Sequence, residues 1–365
     1  MSDVLKVGVV GLGGVARRIH LPAIAASKDL KLVGAAEVSS EAVRLATRGF
    51  PIPRVFEDYR EMLGECRPDI VLIGTPPELH HLQTKAALEA GAHVLCEKPF
   101  VATLEEADDL IATALQAGRL LAVNNQYRYM RLYRETEKRL RAGEFGPAYQ
   151  IQAWQQMYHP PSFEKNWRAS LARSTLYEFG THALDLVCFL FGALPAAVTA
   201  RTPRVPHGID ADVLVVALLD FPGGRVATLN FHRVSQAPER YLEMRLDARD
   251  ASIRLSLGGV ARFSLDWVKS LGRPALRASF ARGGEVRVER RGRSRVLVRS
   301  PEPEFASATV AHLAELVERI RAGDVAPTAA VHAREVLKAV FAAYRSAVEG
   351  VTVQLEKPAI RAQRP

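Results

Sequence analysis

Short apolar runs alternate with amphipathic stretches through the first ~125 residues. Runs at Val4–Val10, Leu30–Ala36, Arg54–Phe56, Asp69–Gly74, Ala92–Cys96 and Leu120–Asn124 predict six strands. Helical spacing starts near Gly14, with an interruption expected at Pro22, and recurs over Ser39–Arg48, Leu79–Ala90 and Thr103–Ala117. Strands that alternate with helices imply a parallel sheet with crossover helices. After about Gly146 the pattern changes to longer alternating strands, such as Val213–Leu219, Arg225–Phe231 and Tyr241–Leu246, with a turn at Pro222-Gly223-Gly224. Such runs predict hairpins in a mostly antiparallel sheet. A long apolar helix is expected over about Tyr177–Phe191, and two more over Phe305–Ala322 and Ala329–Val348. The chain therefore reads as α/β, with a parallel domain over 1–125 and a second domain over 126–365 whose C-terminal helices can pack back on the first.

Composition narrows the class without changing this picture. The 365 residues are 48% hydrophobic and 24% charged, ordinary for a globular protein and too apolar for a disordered one. No apolar run is long enough to span a bilayer, and no basic region precedes a long apolar stretch at the N-terminus, so a cytoplasmic location without membrane contact is expected. Three dispersed cysteines (Cys66, Cys96, Cys188) predict neither a disulfide framework nor a zinc knuckle, and the scattered histidines give no metal cluster.

The first chemical signal is Gly11-Leu12-Gly13-Gly14-Val15-Ala16, between the first strand and the next helix. It fits G-x-G-x-x-A. Gly11 permits the tight turn, Gly13 lets backbone approach a pyrophosphate, and Ala16 is the small residue needed for helix–strand packing. Gly14 and Val15 open the helix, whose N–H groups favour an anion. Glu37 ends the second strand, 26 positions after Gly11. A carboxylate there binds a ribose 2′-hydroxyl and repels a 2′-phosphate, so NAD is expected over NADP. The alternative is a plain tight turn beside a surface acid.

Gly74-Thr75-Pro76-Pro77 follows the fourth strand, with His80 in the next helix, and Cys96-Glu97-Lys98-Pro99 follows the fifth. Both lie at carboxyl strand ends, where open α/β sheets bind ligands. Taken alone, Lys98 reads as well as a surface loop lysine. Glu178, His182 and Asp185 stand at i, i+4 and i+7 on one face of the apolar helix. A buried helix carrying such groups needs partners or a cleft. A core histidine beside two solvated carboxylates is the plainer reading.

Together, the glycine loop, Thr75-Pro76-Pro77, Glu97-Lys98-Pro99 and Phe179-Gly180-Thr181-His182 with Asp185 resemble the Gfo/Idh/MocA oxidoreductases over nearly the whole chain. A second Glu356-Lys357-Pro358 follows no such strand series and is coincidence. The resemblance implies a Rossmann domain, an open antiparallel sheet supporting a homodimer or homotetramer, and a carbohydrate-like substrate. It places Lys98 against substrate and nicotinamide, Glu97 beside the cofactor, and Thr75, Pro76 and His80 in the cofactor groove. Asn125, Gln126 and Arg128 fall at the nicotinamide–substrate junction. Trp167-Arg168 resembles a recurring family pair in substrate or cofactor contact, or else is a packing Trp beside a surface Arg. His159-Pro160-Pro161 is a rigid loop or a cover for the site.

Alcohol oxidation then assigns roles. His182 is the base, Glu178 orients it, Lys98 stabilises the developing alkoxide and can share the proton, and Asp185 binds a substrate hydroxyl. Two departures from the family bear on the substrate. Glu178 stands where members often carry Asp, and Ala172-Arg173-Ser174-Thr175-Leu176 replaces a glycine-rich stretch. The rival readings are a hydrolase or lyase acting through transient oxidation by held NAD, and a non-catalytic dinucleotide sensor.

The net charge of +9 is local: eleven basic residues lie between Arg262 and Arg299 against three acids. Residues 284–298 read as a hairpin turning at Gly292, whose arginines either discourage edge pairing or meet an anionic substrate or subunit. Few aromatics interleave with these charges, so nucleic-acid binding is not expected.

Overall fold

The structure, a computed structural model, describes residues 4–164, 167–171, 173–205, 209, 211–268 and 273–356. Ala172, Lys269 and the Lys357-Pro358 part of the second tripeptide lie outside the described residues.

Six strands, β1 (Leu5–Val10), β2 (Leu30–Ala36), β3 (Val55–Phe56), β4 (Ile70–Ile73), β5 (His93–Cys96) and β6 (Leu121–Val123), pair in parallel in the order β3-β2-β1-β4-β5-β6. All four residues of β4 are buried, as a parallel sheet covered on both faces requires. The crossovers are α1 (Leu21–Ala26), α2 (Ser40–Gly49), α3 (Tyr59–Cys66), α4 (Pro77–Glu89) and α5 (Leu104–Ala117). Strand order reverses between β1 and β4, where such sheets bind dinucleotides.

The first helix corrects one expectation. Pro22 does not interrupt it: Ala16–His20 forms a π turn that runs directly into α1. The wider turn bonds the Leu21 N–H to the Ala16 carbonyl, five residues back. A proline in the next position then follows a register that no longer demands its missing N–H. Helix α3 had no counterpart in the sequence reading; it buries only Met62 and Leu63, too little to stand out as a periodic run.

After α6 (Arg131–Arg141) comes a second, nine-stranded sheet. Its chain order is β7 (Ala148–Gln156), α7 (Thr181–Phe191), β8 (Ala197–Arg201), β9 (Leu214–Phe221), β10 (Arg225–His232), β11 (Arg240–Ala248) and β12 (Ala251–Leu257). β13 (Val260–Val268) and β14 (Arg273–Ala281) form a separate two-stranded ribbon. The sheet resumes with β15 (Gly284–Arg290) and β16 (Arg293–Ser300). Helices α8 (Phe305–Arg321) and α9 (Thr328–Glu349) and the edge strand β17 (Val353–Gln354) end the described chain. The sheet is antiparallel except where β7 and β10 run parallel. Along β9, Val215, Ala217 and Leu219 are buried while Val216 and Leu218 are exposed, so one face is packed and one is open.

Helix α8 packs Leu313, Leu316 and Val317 into the core of the first sheet, among Val7, Val9, Leu12 and Ile24. Full burial of each such side chain is worth roughly 1.5–3 kcal/mol. The parallel sheet is thus held to the rest of the molecule by apolar contact as well as by the connecting chain.

The arginine-rich hairpin is β15 and β16, turned by Arg291 and Gly292, both with positive φ. Val286 and Val288 are buried beneath it. Arg295 and Arg299 pair with Glu144 and Glu285 on this edge of the sheet.

Candidate active site

Four segments converge beyond the carboxyl ends of β1, β2, β4 and β5: Gly11 with Gly13-Gly14-Val15, Glu37, Gly74-Thr75-Pro76 and Glu97-Lys98. With Gln126, Trp167, Arg168, Glu178 and His182 they line one cavity of about 1400 Å³. Gly11 has φ +88°, and a Cβ there would lie 3.0 Å from the Gly74 backbone. At Gly13 a Cβ would meet nothing within 4 Å and would instead stand in the open cavity. That is the clearance a pyrophosphate needs. Ala16 is fully buried beneath this loop rather than on the cavity wall. The Glu37 carboxylate accepts the Leu12 N–H at 2.7 Å and the Ser39 N–H at 2.8 Å. It is fixed at the tip of β2, where a ribose hydroxyl would be recognised. The residues present therefore fit a dinucleotide.

His80 does not line this groove. Its ring is buried behind it, with Nδ1 3.0 Å from the Pro99 carbonyl and Nε2 2.9 Å from the Thr75 carbonyl. It staples the loop after β4 to the loop after β5; burial lowers its pKa, and the carbonyls facing both ring nitrogens work against that.

Lys98 Nζ donates to Glu178 Oε1 at 2.9 Å and to the Glu178 carbonyl at 3.0 Å. Arg168 Nε donates to the same Oε1 at 3.1 Å while its guanidinium stacks 4.5 Å over Trp167. Burial works to raise the Glu178 pKa, but the two cations outweigh it and hold the carboxyl at about 2. Its Oε2 is buried with no hydrogen-bond partner among the described residues. Glu97 accepts from His20 and from Asn124, each at 2.7 Å. Burial opposes its charge too, yet His20, Asn124 and Lys98 bring it to about 2.

Glu178 does not orient His182. The helix opens with a π turn over Thr175–Gly180, which shifts Glu178 off the regular i, i+4 relation, and its bonded oxygen faces Lys98 and Arg168. Gly180 is what lets this turn lie close to β10, since a Cβ would come 3.0 Å from the Phe231 ring. The His182 imidazole stacks instead on Tyr127, centroids 3.9 Å apart and planes 3° from parallel. Burial and then the Lys98 charge push its pKa down to about 3, so the ring is neutral at neutral pH.

Arg128 and Asp185 face each other, not the cavity. Arg128 Nε and Nη2 donate to the two Asp185 oxygens at 2.6 and 2.7 Å, and Asn125 Nδ2 and His332 Nε2 add contacts at 3.0 and 3.1 Å. Neither residue lines the cavity, and the expected substrate contact has this ion pair in its place. Sequence reasoning missed Arg18, Gln155, Glu164 and Tyr241 on the cavity wall, and Tyr127. Position beside Gln126 could have flagged Tyr127; the others carry no local signal.

Two family models match this chain: the Gfo/Idh/MocA oxidoreductase family's NAD-binding Rossmann fold over residues 5–125, and that family's C-terminal domain over residues 133–254. Together they cover about two thirds of it. The chain belongs to the Gfo/Idh/MocA oxidoreductase family. Its relatives include the uncharacterized oxidoreductase YdgJ of Escherichia coli, 29% identical over 62% of this chain and 64% of YdgJ. The scyllo-inositol 2-dehydrogenase (NADP(+)) IolW of Bacillus subtilis is 25% identical over 97% of both chains. An Agrobacterium radiobacter oxidoreductase solved with NAD+, L-tartaric acid and magnesium has the same fold, with TM-score 0.81 and 21% identity over 96% of this chain and 98% of that one. As a Gfo/Idh/MocA member the protein carries an NAD-binding domain, and the glycine cradle and Glu37 lie within the matched residues.

Proposed function

We propose that the protein is an NAD-dependent oxidoreductase interconverting a secondary alcohol and a ketone of a sugar, cyclitol or sugar derivative. The carrying observation is Lys98, anchored on Glu178 in the same cavity as a neutral His182 and the glycine cradle. Bound nicotinamide would supply the hydride acceptor in one direction and the donor in the other. Glu178 holds the Lys98 ammonium in place, and Lys98 hydrogen-bonds the reacting oxygen and stabilises its developing negative charge. His182 takes the hydroxyl proton onto a ring nitrogen, or returns it in reduction. Glu178 Oε2 is buried without a partner among the described residues, so Glu178 keeps one acceptor oxygen that Lys98 and Arg168 do not use. Gln126, Trp167 and Arg168 border the same space.

Among the described residues no helix is long and apolar enough to cross a membrane. We place the protein in the cytoplasm, as a homodimer or homotetramer joined through the open face of the nine-stranded sheet. Val216 and Leu218 give that face its apolar character. The functional boundary falls near residue 125, after β6. No observation among the described residues favours the hydrolase, lyase or sensor readings.

The test follows absorbance near 340 nm with NAD+ and a panel of cyclitols, aldoses, uronates and nucleotide sugars. A rise that Lys98→Ala and His182→Ala both abolish is expected. Product by mass spectrometry with a flat trace would refute net NAD reduction. Light scattering on the purified protein reads the oligomer, and a monomer would refute that part.

A further inference from the structure

We propose that Tyr127 is the positioning residue of His182, holding the imidazole plane by face-to-face stacking and itself fixed through Tyr241. The inference rests on His182 being the base of the proposed reaction. A histidine ring turns easily about its terminal torsion, so a base needs something to fix its plane. A carboxylate on the far ring nitrogen is the usual device. Here it is missing. His182 Nδ1 is buried without a hydrogen-bond partner among the described residues, and the bonded oxygen of Glu178 is shared by Lys98 and Arg168.

The Tyr127 ring supplies the constraint. Its 3.9 Å, 3° stack fixes the imidazole plane and leaves the imidazole edge for proton transfer. Tyr127 itself is immobilised. It lies in the turn directly after β6, is 5% exposed, and its hydroxyl is 2.7 Å from that of Tyr241 at the start of β11. Phe305 braces both rings, at 5.8 and 6.1 Å. The base is thereby referenced to both sheets.

The stack also favours the reacting state. When His182 takes the alcohol proton, the imidazolium faces an aromatic ring, a cation–π contact absent from the neutral form. The other charges acting on the imidazole are Lys98 and Glu97 after β5, with Glu178 and Asp185 on its own helical segment. Lys98 disfavours the imidazolium, so the ring face offsets part of that cost.

The experiment uses the full-length protein and Tyr127→Leu, Tyr127→Phe and Tyr241→Phe. Imidazole resonances are recorded by NMR, with His182 assigned through His182→Ala, alongside kcat, KM and NAD+ affinity. Tyr127→Leu is expected to remove the upfield ring-current shift of the His182 ring protons and to lower kcat about tenfold, with KM and NAD+ affinity nearly unchanged. Tyr127→Phe is expected to restore both the shift and most of the lost kcat. Tyr241→Phe is expected to move the His182 resonances by a smaller amount. Unmoved resonances and unchanged kcat in Tyr127→Leu would overturn the inference. If that variant does not fold, resonances unmoved in Tyr241→Phe would overturn it. A wild-type protein that reduces no NAD+ with any substrate would instead sink the proposed function, while the ring-current shift still decides the stack.

Discussion

Glu178 and Asp185 stand seven residues apart on one helical segment, and both are buried, ionised and paired with arginine. They nevertheless differ in how fully their oxygens are paired. Both Asp185 oxygens are occupied, by Arg128 twice and by Asn125 and His332. Glu178 lines the cavity, with one oxygen shared by Lys98 and Arg168 and the other buried without a partner among the described residues. A saturated buried ion pair specifies packing; an unsaturated one in a cleft keeps capacity for a ligand. The difference in saturation is what the proposed function rests on, and spacing on the helix could not show it.

The strongest way to break this contrast is at Lys98. Lys98→Ala is expected to lower kcat by about 10²–10⁴-fold with a smaller loss of melting temperature than Asp185→Ala, since Arg168 still pairs with Glu178; steady-state kinetics and calorimetry read the two. An inactive protein that is also unfolded would make Lys98 structural. The reverse signature is expected at Asp185. Asp185→Ala strands the buried Arg128 charge and should cost roughly 3–5 kcal/mol of stability in urea denaturation, with kcat per folded molecule retained. A fully stable but inactive variant would return Asp185 to the substrate.

Glu178→Gln sharpens the comparison further. It keeps the shape and loses the charge that anchors Lys98, so kcat should fall roughly 10–100-fold with modest loss of stability. Kinetics equal to wild type would show that Lys98 needs no anchor. The smallest expected effect is with pH. His182 and His312 are held at about 3, and His93 at about 4, chiefly by burial. Unfolded histidines take up protons near pH 6.5, so the unfolded state binds more protons between there and pH 4, and stability falls as pH falls. Glu97 and Glu178, held at about 2, extend the loss below about pH 4.5. The melting temperature should therefore drop steadily from pH 7 to pH 4, and a flat profile would contradict the buried neutral histidines.

Much of the site was legible in the chain because its signals are local. The turn at Gly11, the acid at Glu37 and the lysine at Lys98 each follow a strand directly, and strand ends are where this kind of sheet collects ligands. His80 was misread because it shares a helix start with Pro76 and Pro77, yet its ring turns inward to carbonyls of two loops. Pro22 was misread because a π turn removes the demand for its N–H. Tyr241 gave no signal at all, being one aromatic in an alternating strand.

The pairing of Lys98 with His182 came from the family resemblance, while periodicity and short motifs determined the α/β class, the parallel-to-antiparallel change and the dinucleotide loop. These depend on side-chain alternation and on backbone turns, which neighbouring residues encode. Tertiary structure alone decided which carboxylate has both oxygens paired and which ring the His182 imidazole stacks on. Lys98 meets Glu178 across 80 residues, and Asp185 meets His332 across 147. Hydrogen-bond saturation is a sum over such distant partners, so it exists only once the chain has packed.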